Sequence, residues 1–398
     1  MINKRLVDAL NSKFQWVRLS ALKKIAKTQE FDSVQKTFDT ALQIHTYHSF
    51  SQFSPSLSAY VAHKFGLRVA GNMDNYTFKG AKEFIKASRI LGLTYSIGTK
   101  FRLSFNEADV KLANVAVMGV AVRFIDQIQG ALEKYRKRQI ENVKLTVEAI
   151  NKRFKKFNVQ IDFEKDVAKT VKNGKEGVYL SKIAYLALAR KLLKIYDPQK
   201  IIETLASLNI NLTPEQRELL TMEVNVYRDF DLCKALFEFR SNFFAKKEYL
   251  QSDEVVENFH KFGAICAFEL QIDKLLEYSD DNKKRILTLL ESVKKQRFDG
   301  VGFDPNMVDD QLRNYLFDKL EELELLPFLL YEIEFPRQSF AFSYPCARSK
   351  ELMERSAYVV VGSEMSENQT CEGFISSNLK TNGFAEKVAL FEKIGRGE

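Results

Sequence analysis

Residues 41–80 read ALQIHTYHSFSQFSPSLSAYVAHKFGLRVAGNMDNYTFKG, and the order of apolar and polar segments in this stretch decides the fold. A short apolar run ends at His45, a Ser-Pro pair predicts a helix near 55–65, and a second apolar run ends at Asp74 and Asn75. Apolar strands that alternate with helices are typical of a parallel sheet covered by helices. In a barrel of this kind, functional side chains stand at the carboxyl ends of the strands, which is where His45 and Asp74 fall.

The same alternation of apolar runs and helices continues through most of the remaining sequence. Further apolar runs that predict strands are LTYSIGTKFRLSF, ANVAVMGVAV, GAICAFEL, FDGVGFD, LPFLLYEIEF and SAYVVVGSE. A chain with about seven or eight strand–helix units can close a barrel. The fold class is therefore predicted to be α/β, with a TIM-like barrel of parallel strands.

The distribution of helical and strand-like patterns divides the chain into four segments. Residues 1–37 predict an N-terminal helical segment, and residues 38–122 predict the first half of the barrel. The pattern of residues 123–262 is almost purely helical, which predicts a large insertion packed on the barrel. Residues 263–398 predict the second half of the barrel and a C-terminal helix.

The composition restricts the classes of function. The chain of 398 residues has 60 basic and 52 acidic residues, for a net charge of +8. Many basic residues alternate with glutamates in helix-like segments such as EKYRKRQIENVK, which is more typical of a solvated helix face than of a nucleic-acid-binding surface. No apolar run reaches the roughly 20 residues that span a bilayer, and the N-terminus lacks a signal-peptide pattern, so we expect a cytoplasmic protein with no membrane contact. The four cysteines are far apart and predict buried free thiols.

Several motifs resemble those of the PHP (polymerase and histidinol phosphatase) superfamily. HTYHSFSQFSPSLSAYVAHKFGL resembles its first motif, AGNMDNYTFKGAKEFIKASRILGL its second, EIEFPRQSF its late Asp-x-His element, and VVVGSE its Gly-His-Glu ending. The chain is similar to a bacterial group of PHP-domain proteins with an extra N-terminal helical segment. The resemblance implies a distorted (βα)7 TIM-like barrel with that segment and a large helical insertion. It also implies kinship with phosphoesterases that use a cluster of metal ions to make a hydroxide nucleophile and to hold the phosphoryl oxygens.

The chain keeps few of the ligands that the resemblance places at the metal site. His45 of the HxH motif and Asp74 of the Asp-His motif survive, and Glu332 and Glu334 take the place of the Asp-x-His pair. Other ligand positions are degenerate, and they are occupied by Gln43, Asn75, Lys100, Lys182 and Ser363. A family site needs more histidines than the four that the whole chain contains. The resemblance therefore implies a degenerate member of the group, in which the multinuclear site is largely lost.

Lys100 stands where the family has a bridging glutamate, so an ammonium replaces an anion in the middle of the predicted site. An ammonium within about 4 Å of a divalent ion is repelled by several kcal/mol even at an effective dielectric constant of 20. We therefore expect its charge to be neutralised by Asp74, Glu332 or Glu334. Lys100 and Arg337 are also candidates for binding an anion at the barrel mouth, and an ion pair between Arg337 and a carboxylate is an equal alternative.

Three functions remain open from the sequence. The first is a non-catalytic module without a cofactor, which binds a protein partner or a phosphorylated small molecule and has lost the phosphoesterase activity. The second is a phosphoesterase with a reduced site, in which one Mg²⁺ or Mn²⁺ ion is held by His45, Asp74, Glu332 and Glu334. The third and weakest is a nucleic-acid-binding protein, whose affinity should fall steeply with salt.

Overall fold

The fold is built on one curled sheet of seven strands. The structure is a computed structural model, and it describes residues 4–28, 34, 40–108, 110–171, 177–242, 249, 251–272, 275–377 and 383–398. The strands lie side by side in chain order, and their bounds are β1 Thr40–Ile44, β2 Val69–Asn75, β3 Thr94–Glu107, β4 Val110–Met118, β5 Ile265–Glu269, β6 Gly300–Phe303 and β7 Leu326–Leu329. Neighbouring strands are parallel except for β4, which runs antiparallel to both β3 and β5.

The predicted α/β class is confirmed, but the predicted closed barrel of parallel strands is wrong. β3 ends at Glu107 and β4 begins at Val110, so the two strands form a hairpin. A parallel pair would need a crossover of about a dozen residues or more, for which the sequence leaves no room. Among the described residues, β1 meets the segment after β7 through one isolated bridge, between Ile44 and Ile333. The sheet is therefore an open half-barrel, compatible with a distorted TIM-like barrel.

Helices cover the sheet and form the insertion. The α-helices of the described residues are α1 Lys4–Ala9, α2 Gln15–Ile25, α3 Pro55–Lys64, α4 Ala81–Leu91, α5 Ile125–Ala131, α6 Glu133–Phe154, α7 Ser181–Ile195, α8 Pro198–Ala206, α9 Pro214–Thr221, α10 Arg228–Glu238, α11 Ser252–His260, α12 Asp280–Lys295, α13 Asp310–Glu322, α14 Ala347–Thr370 and α15 Phe384–Arg396. The helices α1 and α2 lie in the predicted N-terminal segment, and α5 to α11 lie in the predicted insertion. The division of the chain into four segments stays a prediction.

The insertion has its own apolar core and is attached to the carboxyl-end loops of the sheet. Leu188 of α7 and Leu236 of α10 belong to this core. Phe50, from the loop after β1, and Phe335, from the segment after β7, pack into the same core, with 5.4 Å between their ring centroids. The insertion is thus held against the end of the sheet at which the predicted functional residues stand.

The concave face of the half-barrel is filled by α14, which the sequence predicts as a final strand, SAYVVVGSE. That prediction is wrong, because the segment lies in the middle of a 24-residue helix. Val359 and Val360 are fully buried, and they pack with Ala267 of β5 and Phe328 of β7. A short continuous apolar run looks the same in a buried helix and in a buried strand, so its periodicity could not separate the two.

Two further predictions concern the cysteines and membrane contact. Cys233 and Cys266 are buried free thiols, as predicted, whereas Cys346 and Cys371 are exposed. The exposed pair flanks the two ends of α14, where the chain reaches the surface. No helix of the described residues combines the length and the apolar character that a membrane span requires.

The buried carboxyl of Glu364 in α14 makes stability depend on pH. Burial raises its pKa to about 8, while Oε2 accepts a hydrogen bond from Ile97 N at 2.9 Å. The ordinary value is 4.5, so the folded state binds this proton more tightly than the unfolded state. The contribution to stability is therefore full below pH 4.5 and is lost as the pH rises through about 8. Glutamine keeps the shape of the neutral acid but does not titrate. We therefore expect the free energy of unfolding of Glu364→Gln, relative to that of wild type, to increase by more than about 1.4 kcal/mol when the pH is raised from 5 to 8.

Urea unfolding of Glu364→Gln and wild type at several pH values measures this difference. Glu367→Gln is the matched control on the same helix, because the Glu367 carboxylate pairs with Arg123 and is buried. That substitution should lower the free energy of unfolding. A Glu364→Gln variant whose stability follows the wild-type pH profile in parallel would show that Glu364 is ionised in the folded protein.

Candidate functional site

The segment after β7 runs beside the end of β1 and delivers two glutamates to the centre of the half-barrel. The backbone N–H of His45 donates to the carbonyl of Ile333 at 2.9 Å, and the N–H of Ile333 donates to the carbonyl of Gln43 at 2.9 Å. These bonds fix the register of the two segments. Glu332 and Glu334, on either side of Ile333, are therefore held beside His45.

Lys100, in the middle of β3 and paired in register with Asn75 at the end of β2, is the central cation of the site. Its side chain is 2% exposed, and Nζ lies 2.6 Å from Glu269 Oε2 and is also bonded to Glu332 Oε1. Gln43 completes the arrangement, since its Oε1 accepts from Lys100 at 3.3 Å and its Nε2 donates to Glu269 Oε1 at 3.0 Å. Burial alone would lower the pKa of Lys100, but the two carboxylates raise it above its ordinary value, so the ammonium stays charged.

Lys182, near the start of α7, brings a second ammonium from the insertion. Its Nζ is bonded to Glu334 Oε1 and lies 3.7 Å from Glu332 Oε2. Burial opposes ionisation of Glu332, but Lys100 and Lys182 together hold its pKa well below the usual range. Burial raises the pKa of Glu334 in spite of its lysine partner. We call the five side chains Lys100, Lys182, Glu269, Glu332 and Glu334 the lysine–carboxylate network.

Asp74 lies outside this network. Its carboxylate accepts hydrogen bonds from Thr46 N and Thr46 Oγ1, both at 2.7 Å, and from Ser49 Oγ and Asn72 Nδ2, both at 3.1 Å. Of the three carboxylates expected to neutralise Lys100, Glu332 does so and Asp74 does not. Asp74 instead fixes the loop after β1, since a buried carboxylate needs donors when it has no cation.

His45 is fully buried and its ring is neutral near pH 7. Burial lowers its pKa to about 4, and the ammonium groups of Lys100 and Lys182 act in the same direction. Nδ1 lies 3.2 Å from Asn75 Nδ2 and 3.4 Å from Ser49 Oγ. Nε2 has no hydrogen-bond partner among the described residues.

Three of the four predicted metal ligands converge, but their surroundings fit a divalent ion poorly. Ligand atoms of His45, Glu332 and Glu334 lie within 4.8 Å of one another, and Asp74 is not in this group. Both carboxylates are bonded to lysine ammonium groups, which occupy the oxygen atoms that a metal ion would need. An ion that bound both carboxylates would lie close to the two ammonium groups bonded to them, and both groups would repel it.

Of the remaining predicted site residues, two lie in the site and two lie elsewhere. Gln43 and Asn75 lie in the site, bonded to Lys100 and His45. Ser363 lies within α14, where its Oγ accepts from Phe374 N at 2.9 Å, so its assignment to a strand end is wrong. Arg337 donates from Nε to both Asp231 oxygens at 3.2 Å and is not in the network.

Sequence reasoning missed the role of Glu269 and the partner of Lys182. Glu269 ends β5, whose residues are otherwise apolar, and its side chain is 0% exposed. A single carboxylate at the end of an apolar strand, matched by lysines elsewhere, is the signal that could have identified it. The sequence assigns Lys182 to the candidate site as a degenerate ligand position. Its pairing with Glu334 could not be predicted, because it depends on how α7 packs over the sheet.

An open cleft of about 860 Å³ lies beside the network at the carboxyl ends of the strands. Lys100, Lys182 and Glu332 form part of its floor. Its walls come from the β3–β4 hairpin and from the insertion, and the side chains include Arg102, Asn114, Tyr179, Tyr185, Phe237 and Arg240. The cleft is thus lined by the β3–β4 hairpin, by the insertion and by the segment after β7.

Two solved structures are similar to most of the chain. One is a candidate metal-dependent phosphoesterase from Bifidobacterium adolescentis, with 16% identity and a TM-score of 0.52 over 78% of this chain and 94% of that one. The other is an amidohydrolase from Chromobacterium violaceum, with bound sulfate and no metal, with 12% identity and a TM-score of 0.52 over 77% of this chain and 92% of that one. The chain therefore has a fold like that of metal-dependent hydrolases. No family model matches it, and no curated protein matches its sequence.

Proposed function

We propose that this protein is a PHP-like member of the metal-dependent hydrolase fold in which ion pairs have replaced the metal cluster. Its role would be to bind a ligand or a partner without hydrolysing it. The observation that carries the proposal is the position of the Lys100 ammonium between Glu269 and Glu332. Because lysine supplies the positive charge, the buried carboxylates are compensated without a metal, and nothing at this point generates a hydroxide.

A second candidate is a phosphoesterase with a single Mg²⁺ or Mn²⁺ ion. The convergence of His45, Glu332 and Glu334 supports it, since these are ligands that such an ion accepts. In this case the ion would polarise a phosphoryl oxygen or a water molecule. The bonds from Lys100 and Lys182 to the same glutamates favour the first proposal.

Metal content and turnover together separate the two candidates. We expect the purified protein to contain no stoichiometric divalent metal, and to hydrolyse neither phosphomonoesters nor phosphodiesters when Mn²⁺ or Zn²⁺ is added. Wild type and His45→Ala should give the same background rate. Stoichiometric Mn²⁺ binding, with turnover that His45→Ala abolishes, would contradict the proposal and establish the single-metal enzyme.

Nucleic-acid binding and a cytoplasmic location stay predictions. The basic face of α6 is interleaved with acidic partners, as in the pairs Arg136–Glu133, Lys144–Glu141 and Lys134–Glu254. Such pairing supports a solvated helix face, because the charges are already compensated. A gel shift that is absent, or that does not weaken with salt, would dismiss nucleic-acid binding.

A further inference from the structure

The cleft contains more positive charge than the lysine–carboxylate network can neutralise. Four cations line it: Lys100, Arg102, Lys182 and Arg240. The two lysines are paired with Glu269, Glu332 and Glu334, so the network carries no excess positive charge. Among the described residues of the cleft, the charged side chains left to attract an anion are therefore the two arginines.

Arg102 is positioned by the β3–β4 hairpin. It follows Lys100 by two residues on β3, so both side chains lie on the same face of the strand and Arg102 stands nearer the strand end. Its Nε donates to Asn114 Oδ1 at 3.2 Å, across the paired positions of β3 and β4. This bond to a neutral amide holds the guanidinium in the cleft and leaves its charge uncompensated, since no carboxylate of the described residues forms an ion pair with it.

Arg240 comes from the insertion side of the cleft, just after α10. Its guanidinium carbon lies 4.9 Å from the centroid of the Phe237 ring, and Lys182 Nζ lies 5.1 Å from the same centroid. Besides Glu332, the lining of the cleft contains the carboxylate of Glu238, whose Oε2 accepts a hydrogen bond from Gln216 Nε2 at 2.7 Å. Within the part of the chain that the structure describes, Arg240 has no carboxylate partner either.

We propose that this cleft binds a phosphate monoester, with the phosphoryl oxygens on Arg102 and Arg240. The inference rests on the proposed function, because it takes the floor of the cleft to be the metal-free network. Two guanidinium groups suit a dianionic phosphoryl group, to which each can donate two parallel hydrogen bonds. The organic part of the ligand lies against the tyrosine-rich wall of Tyr179 and Tyr185, and the volume of about 860 Å³ accepts a molecule up to the size of a nucleotide.

Calorimetric titration of the full chain tests the proposal with defined probes. The probes are a nucleoside monophosphate, a hexose phosphate and inorganic phosphate, together with the unphosphorylated nucleoside and hexose. We expect saturable, metal-independent binding of at least one monoester and none of its unphosphorylated counterpart. Arg102→Gln and Arg240→Gln should each weaken that binding about tenfold or more, the effect of losing about 1.4 kcal/mol of binding free energy. Arg285→Gln, on the exposed side of α12, removes the same charge and should leave the affinity unchanged.

The outcomes also separate this inference from the proposed function. Absence of saturable binding, or equal affinity in Arg102→Gln and wild type, would overturn the phosphate site while leaving a metal-free network in place. Binding of inorganic phosphate alone would overturn it as well, because the site would not recognise an ester. Binding that requires added Mn²⁺ would overturn both proposals. Circular dichroism of each variant confirms that the fold is retained.

Discussion

Lys100→Met should lower the free energy of unfolding by about 3–5 kcal/mol, the loss expected when one partner of a buried ion pair is removed. The substitution keeps most of the side-chain volume but leaves the Glu269 carboxylate, whose side chain is 0% exposed, without a cation. Glu332 would retain Lys182 alone, at 3.7 Å. The loss is therefore mainly the free energy of a buried, uncompensated negative charge.

Urea unfolding, followed by circular dichroism, measures the effect of Lys100→Met. The double variant Lys100→Met/Glu269→Gln should recover part of the loss, since it removes the stranded charge together with its partner. Lys82→Met is the surface control, because the Lys82–Asp126 pair is 54% and 81% exposed and such pairs contribute about 1 kcal/mol at most. A Lys100→Met variant as stable as Lys82→Met would show that Lys100 is not the counter-ion of Glu269.

The effect of Lys100→Met should also depend on pH. Burial raises the pKa of Glu269 even beside Lys100, and loss of the ammonium removes the attraction that opposes this rise. A carboxyl group with a raised folded-state pKa contributes stability below its unfolded pKa and loses it as the pH rises through the folded one. The difference between wild type and Lys100→Met should thus be smaller at acidic pH, where Glu269 takes up a proton, than at neutral or alkaline pH.

The sequence predicts local elements of the fold better than their arrangement. The strands β1 and β2 and the helix α3 agree with the prediction, because short apolar runs and a Ser-Pro helix start are local signals. The antiparallel direction of β4 was not predicted, because it depends on which strands pair across the sheet and not on a local signal. Whether the valine-rich segment of α14 forms a helix or a strand depends on the concave face of the sheet, against which these valines are buried.

The candidate site shows the same division. Lys100, Glu332 and Glu334 were predicted to lie together, as positions of one candidate site at which carboxylates neutralise the lysine, and the structure brings them together. The role of Glu269 was not foreseen, and the predicted pairing of Asp74 with Lys100 is wrong, because both depend on the directions of the side chains within the site. Glu269 faces the lysine, whereas Asp74 faces the donors of its own loop.

Gly395→Ala in α15 should lower the free energy of unfolding by about 3 kcal/mol or more, at the upper end of the range for overpacking. The helices α14 and α15 cross in backbone contact: a Cβ atom at Gly395 would lie 2.0 Å from the carbonyl oxygen of Tyr358, and one at Gly362 would lie 1.9 Å from that of Phe391. Backbone atoms cannot yield as the end of a flexible side chain can. The alanine would therefore push α15 away from α14 and loosen the packing of Val360 on the concave face of the sheet.

Thermal and urea unfolding of Gly395→Ala and Gly362→Ala tests this contact, with Gly130→Ala as the matched control. Gly130 lies within α5, and no atom of the described residues outside its own stretch of helix lies within 4 Å of the position of an added Cβ, so alanine there should raise stability by about 0.5–1 kcal/mol through its helix propensity. The same chemical change should thus have opposite signs at the two sites. If Gly395→Ala matched wild type in its unfolding midpoint, the two helices would not be in backbone contact, and α14 would be held against the sheet by its valine face alone.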